Sequence, residues 1–97
     1  MRVTLADTAK ADLAALGAFI GRDSPARASA FIALLKRQCQ SLQENFLRHP
    51  VFLTSESESI RRSIYREYMI FYKVMPDRIV ILRIVHGARN LDVLFDP

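Results

Sequence analysis

The sequence predicts an α+β domain of order β-α-α-β-β-β, in which an N-terminal strand and a helical hairpin accompany a C-terminal antiparallel β-meander. Three observations carry that prediction. The stretch from Ile60 to His86 is rich in Ile, Val, Tyr and Phe and is broken only at Arg66-Glu67 and at Met75-Pro76-Asp77-Arg78. Residues 7–45 place apolar side chains at helical spacing, with a restart signal between two halves. The chain has 97 residues, 51% of them hydrophobic, which is enough for one modest core and too little for two, so residues 1–97 are read as a single domain.

Arg2 to Ala6 is a short strand candidate with Val3 and Leu5 on one face; its place in the sheet is left open. Asp7 or Thr8 is positioned to cap a first helix running to about Ile20, with Ala9, Leu13, Leu16 and Ile20 on its apolar stripe and Gly21 at its end. In Asp23-Ser24-Pro25, serine accepts from the first free amides and proline suits the first turn of a second helix, expected from Pro25 to about Asn45. Its stripe is Ala28, Phe31, Ile32, Leu35, Cys39 and Leu42, opposite Lys36, Arg37, Gln40 and Gln43. Cys39 in that stripe reads as a buried structural thiol.

Phe46 to Ser59 is expected as a connecting loop, its apolar first part lying along the core edge and its TSESES part mobile. His49 before Pro50 reads as a loop residue. The two short breaks in the following stretch force antiparallel pairing of its three strands. Strict alternation on the last strand puts Val80, Leu82 and Ile84 on one face and Ile79, Ile81, Arg83 and Val85 on the other. Arg83 then interrupts an aliphatic face, either as an ion-paired or snorkelling side chain or as a groove residue. Beyond His86, Gly87 permits a sharp exit and Leu91, Leu94 and Phe95 form a short amphipathic turn.

The formal net charge is +4, and residues 60–97 hold seven basic against four acidic side chains. A mildly basic surface suits an acidic or nucleic-acid partner without choosing between them. One cysteine excludes an intrachain disulfide and a cysteine-based zinc site, and points to a reducing cytoplasm. No leader pattern and no apolar run of membrane-spanning length is present, so a cytoplasmic protein without membrane contact is expected. With three glycines and no metal-spaced cluster, no cofactor and no metal site is expected. The one constellation with reactive potential is Arg61, Arg62, Tyr65, Arg83, His86 and Arg89; His86 is its plausible acid or base, although alternation places it away from Arg83.

The helix-restarting DSPARA, the run IRRSIYREYMIFYKV and the following RIVILRIVHGARNL resemble the RelE/ParE superfamily of bacterial toxins over essentially the whole chain. The Tyr68, Phe71 and Tyr72 core of the hairpin and the ending Arg83, His86, Gly87 and Arg89 are its distinctive part. The resemblance implies the toxin component of a type II toxin-antitoxin module. The helical hairpin and the His-Gly-Ala-Arg ending look more like ParE, which implies a non-enzymatic inhibitor of DNA gyrase, causing growth arrest and neutralised by a cognate ParD-like antitoxin in a hetero-oligomer. Such antitoxins carry their own DNA-binding domain, so no direct DNA binding is expected of this chain. The alternative is a RelE-like, metal-independent, ribosome-dependent mRNA endonuclease using Arg62, Arg83 and His86. Expected target contacts are Arg61, Arg62, Tyr65, Arg83, Arg89, Leu91, Leu94 and Phe95, and expected antitoxin contacts are Leu16, Phe19, Ile20, Phe31, Leu34 and Leu35.

Overall fold

The computed structural model describes residues 1–54 and 58–87. In chain order it contains β1 (Arg2–Leu5), α1 (Asp7–Gly21), α2 (Pro25–Gln40), the short α3 (Leu42–Asn45), β2 (Val51–Thr54), β3 (Ser59–Tyr65), β4 (Tyr68–Val74) and β5 (Arg78–His86). The strands form one sheet in the order β1-β5-β4-β3-β2. The meander β3-β4-β5 is antiparallel as expected, and β1 joins it in parallel beside β5, with Val3 opposite Ile79 and Leu5 opposite Ile81.

The α+β class and the helical hairpin stand as the sequence predicts. Ser24 caps α2 by accepting the Arg27 amide at 3.2 Å, with Pro25 in the first turn. Ala9, Leu13, Leu35, Cys39 and Leu42 are buried with Ile70, Tyr72, Ile79, Ile81 and Ile84, so the apolar stripes of both helices close on one face of the sheet. Fully buried Tyr72 donates its hydroxyl to the Phe46 carbonyl at 2.6 Å, tying the segment after α3 to the sheet.

Four details differ from expectation. The loop Phe46–Ser59 contains β2, whose few alternating residues add a fourth antiparallel strand; Phe52 from it meets the Phe71 ring edge at 5.0 Å. The second helix breaks at Ser41, whose hydroxyl donates to the Gln38 carbonyl at 2.6 Å and so competes with the helical ladder. Neither Asp7 nor Thr8 caps α1: Ala6 precedes the helix, and the Thr8 hydroxyl is spent on the Leu82 carbonyl at 2.6 Å. Finally, the β4–β5 register slips between Phe71 and Tyr72, because Leu82 is an extra residue opposite them. That bulge breaks the strict alternation. Ile79, Ile81 and Ile84 all join the helical core, while Leu82 and Val85 pack with Ile60, Met69 and Phe71 on the other face.

The β3–β4 connection is a two-residue hairpin in which Tyr65 faces Tyr68 and Arg66 takes a left-handed φ of 55°. Of the TSESES run, residues 55–57 lie outside the described residues, as does the tail after Gly87.

Candidate interaction site

β1 ends at Leu5 while β5 runs on to His86, so among the described residues the second half of β5 has no strand on its outer side. The start of α1 fills that place. The Ala6 amide donates to the Ile81 carbonyl at 2.9 Å, and the Thr8 hydroxyl binds the Leu82 carbonyl. The Asp12 carboxylate accepts the Ile84 amide at 2.9 Å. The same carboxylate takes two bonds from Arg83, Nε at 2.8 Å and Nη2 at 3.0 Å. Of the readings open for Arg83, the structure selects the ion pair, and these bonds hold its guanidinium above the ordinary arginine pKa.

The other sequence-predicted basic residues are also engaged. Arg61 donates to the His49 carbonyl at 2.6 Å and pins the approach to β2. Arg62 stacks on Phe52 at 4.9 Å and contacts the Met69 sulfur, on the face of the sheet away from the helices. Tyr65 is half-buried with the Arg66 guanidinium over its ring. His86 lies on the helical side, its ring against Tyr68 and its Nε2 3.6 Å from Glu67. Arg62 and His86 thus sit on opposite faces, and Arg83 turns to the edge between them. Arg89, Leu91, Leu94 and Phe95 lie outside the described residues.

His49 is a loop residue as read, with its ring edge-on to Tyr72 and its pKa lowered by burial and by Arg48. Burial pushes the Cys39 thiol up to about 11, as fits a structural cysteine. Among the described residues no three His, Cys, Asp or Glu side chains gather as metal ligands. No helix among them is long and apolar enough to cross a membrane.

The helix residues expected to meet a partner divide by exposure. Phe19 is 67% exposed, with Arg22 at 5.9 Å from its ring. Ile20, Phe31 and Leu34 line an open groove of about 390 Å³ between α2 and the β3–β4 turn, whose charged lining is Arg27, Arg66 and Glu67. Phe31 stacks on Tyr68 there, at 5.3 Å. Leu16 is half-buried against the core, and Leu35 is fully buried. Leu35 is therefore corrected from partner contact to core, because its position on the stripe points at the sheet. A second groove of about 870 Å³ follows α1 and α2 past Gly17, Gly21, Ala28 and Ile32.

Sequence reasoning missed Asp12, although a signal was present. Asp12 lies three residues after Ala9 and four before Leu16, an acid on the apolar stripe of α1, where only a buried cation makes it tolerable. Arg66 and Tyr68, which complete the groove beside α2, left no signal tying them to Ile20 and Leu34, because the approach is made only in the folded chain.

No curated protein matches the chain. A solved structure titled "Chromosomal ParDE TA system from P. aeruginosa" is similar with a TM-score of 0.71 and 24% identity, covering 89% of this chain and 95% of that one, which attests the fold. Residues 3–91 match the family model described as the ParE toxin of type II toxin-antitoxin system, parDE. With that match spanning nearly the whole described chain, on a sheet and hairpin of the same architecture, the protein belongs to the ParE toxin family.

Proposed function

We propose that this ParE-family chain arrests growth by binding DNA gyrase as a protein partner, without catalysis, and that a ParD-like antitoxin neutralises it. The family match carries the reading. It is supported by the dispersal of Arg62, Arg83 and His86: a metal-independent nuclease needs its charge-stabilising arginines and its proton donor around one phosphate, whereas here Arg83 is committed to Asp12 and His86 is on the other face from Arg62. Phe19, Ile20, Phe31 and Leu34 are the antitoxin's anchors on the helices, with Leu16 at their margin. Target contact falls to Arg61, Arg62, Tyr65 and the segment from Arg89 through Leu91, Leu94 and Phe95. The chain acts in the cytoplasm, where gyrase is.

Induced expression with two readouts tests this. Filamenting cells with disturbed DNA supercoiling, an SOS response and intact transcripts are expected; rapid codon-linked cleavage of mRNA in primer extension would replace the gyrase reading by the nuclease one. Co-expression with the neighbouring gene product is expected to restore growth and give a stable complex.

A further inference from the structure

Arg66 is the one non-glycine residue among those described whose backbone lies in the left-handed region, at φ 55°. It opens the two-residue turn between β3 and β4, a position that glycine or asparagine takes at little cost and a long side chain only under strain. The turn is nevertheless firmly braced. Tyr65 and Tyr68 pair across its base, the Gly87 amide donates to the Glu67 carbonyl at 2.7 Å, and Tyr68 is held between the Phe31 ring at 5.3 Å and the His86 ring at 5.5 Å. A β-carbon at Gly87 would come within 3.3 Å of that carbonyl, so the end of β5 is fitted closely against the turn. A well-supported turn that holds an ill-suited residue is the pattern of strain kept for function.

The fold gains little from the side chain itself. Arg66 is exposed, its guanidinium lies 5.3 Å from the centre of the Tyr65 ring, and among the described residues no carboxylate pairs with it. An exposed stack of this kind is a weak contact and at best offsets the strain beneath it. What it provides is a preset geometry. A planar fork of donors is held on a fixed turn, beside an aromatic ring and next to the apolar surface of Ile20, Phe31 and Leu34. Arginine and tyrosine on a rigid support beside apolar anchors are the groups that dominate protein interfaces, because little freedom is lost when they bind.

We propose that Arg66 is a target-contact residue: its guanidinium donates to a carboxylate on the surface of the bound target, and extends the patch of Arg61, Arg62 and Tyr65 along β3 to its turn. This rests on the target-binding reading above. The strain at φ 55° is then the cost of presenting that fork already in place.

The test compares the full chain with Arg66→Gly and Arg66→Asn, which suit a left-handed φ and lack the guanidinium, and with Arg66→Lys, which keeps the charge and the strain. In urea titration the glycine and asparagine variants are expected to unfold at a midpoint no lower than that of the wild type. Inhibition of supercoiling by purified gyrase is expected to need about tenfold more of either variant. Affinity for the antitoxin should stay within about threefold, because its anchors proposed above are apolar and Arg66 is exposed. Arg66→Lys should inhibit at an intermediate level, since it restores the charge without the fork. Full inhibition by the glycine and asparagine variants overturns the proposal. Lowered midpoints in both also overturn it, because the side chain then serves the fold. Weakened antitoxin binding with inhibition intact assigns the guanidinium to the antitoxin and overturns the assigned partner. A wild-type protein without effect on gyrase fails at an earlier step: it removes the gyrase reading, and this proposal with it, before any variant is compared.

Discussion

Asp12 answers Arg83 and, with the same carboxylate, holds the Ile84 amide in the place of a strand that β1 is too short to supply. Both side chains are largely buried, at 12% and 20% exposure. Removing one partner of such a pair leaves the other charge desolvated. Asp12→Ala is therefore expected to destabilise the fold by about 3 kcal/mol in urea titration, and Asp12→Ala combined with Arg83→Met to recover a large part of it. Loss of toxicity in an Arg83 variant accordingly needs a stability measurement beside it before it is assigned to target contact.

Phe19 and Leu35 separate surface from core. Phe19→Ala is expected to leave the urea midpoint almost unchanged and to weaken antitoxin binding by more than about 1 kcal/mol, read by calorimetry. Leu35→Ala is expected to destabilise by about 3 kcal/mol through the cavity it opens, with affinity per folded molecule retained.

Ser63 is 1% exposed, and its hydroxyl has no hydrogen-bond partner among the described residues. An unmet buried hydroxyl costs roughly 1–3 kcal/mol, so Ser63→Ala is expected to raise stability by about 1 kcal/mol. Differential scanning calorimetry measures it as an increase in Tm; a decrease shows that the hydroxyl has a bridging water.

The thiol of Cys39 titrates near 9.0 when unfolded and is pushed up to about 11 when folded. A raised folded pKa contributes stability that is complete below the unfolded value and is lost as pH rises through the folded one. Between about pH 9 and pH 11 stability is expected to fall by up to about 3 kcal/mol from this group. Tyr72, also raised by burial, adds a loss of the same sign at higher pH. The measurement is therefore the difference in urea midpoints between the wild type and Cys39→Ala across that range, and the wild type should show the steeper decline.

Much of this was legible because local chemistry and periodicity agreed. Ser24-Pro25 marks the start of α2 by its own hydrogen bond, and the stripe from Phe31 to Leu42 is the core-facing one. What was illegible depended on distant partners. The bulge at Leu82 has no residue-level signature, yet it moves Ile84 to the other face of the sheet. β2 is four residues beside a polar run, too short for alternation to stand out, and exists by pairing with β3. Of the candidate site, Ile20 and Phe31 stand on the stripes that helical spacing gives, and Phe19 and Leu34 came only with the family resemblance, whereas the commitment of Arg83 to Asp12 required α1 to be laid against the edge of β5.

The parallel pairing of β1 with β5 also governs when this molecule comes into being. Thr4 meets Ile79 across 75 residues of chain, so during vectorial synthesis the earliest strand emerges from the ribosome long before its partner does. Contacts of such separation make folding slow relative to helix formation, and the hairpin of α1 and α2 is complete while the sheet that it covers is still being made. A nascent chain accordingly presents its helical hairpin, with Phe19 exposed, before the sheet is complete, so the finished toxin fold is a late product of synthesis.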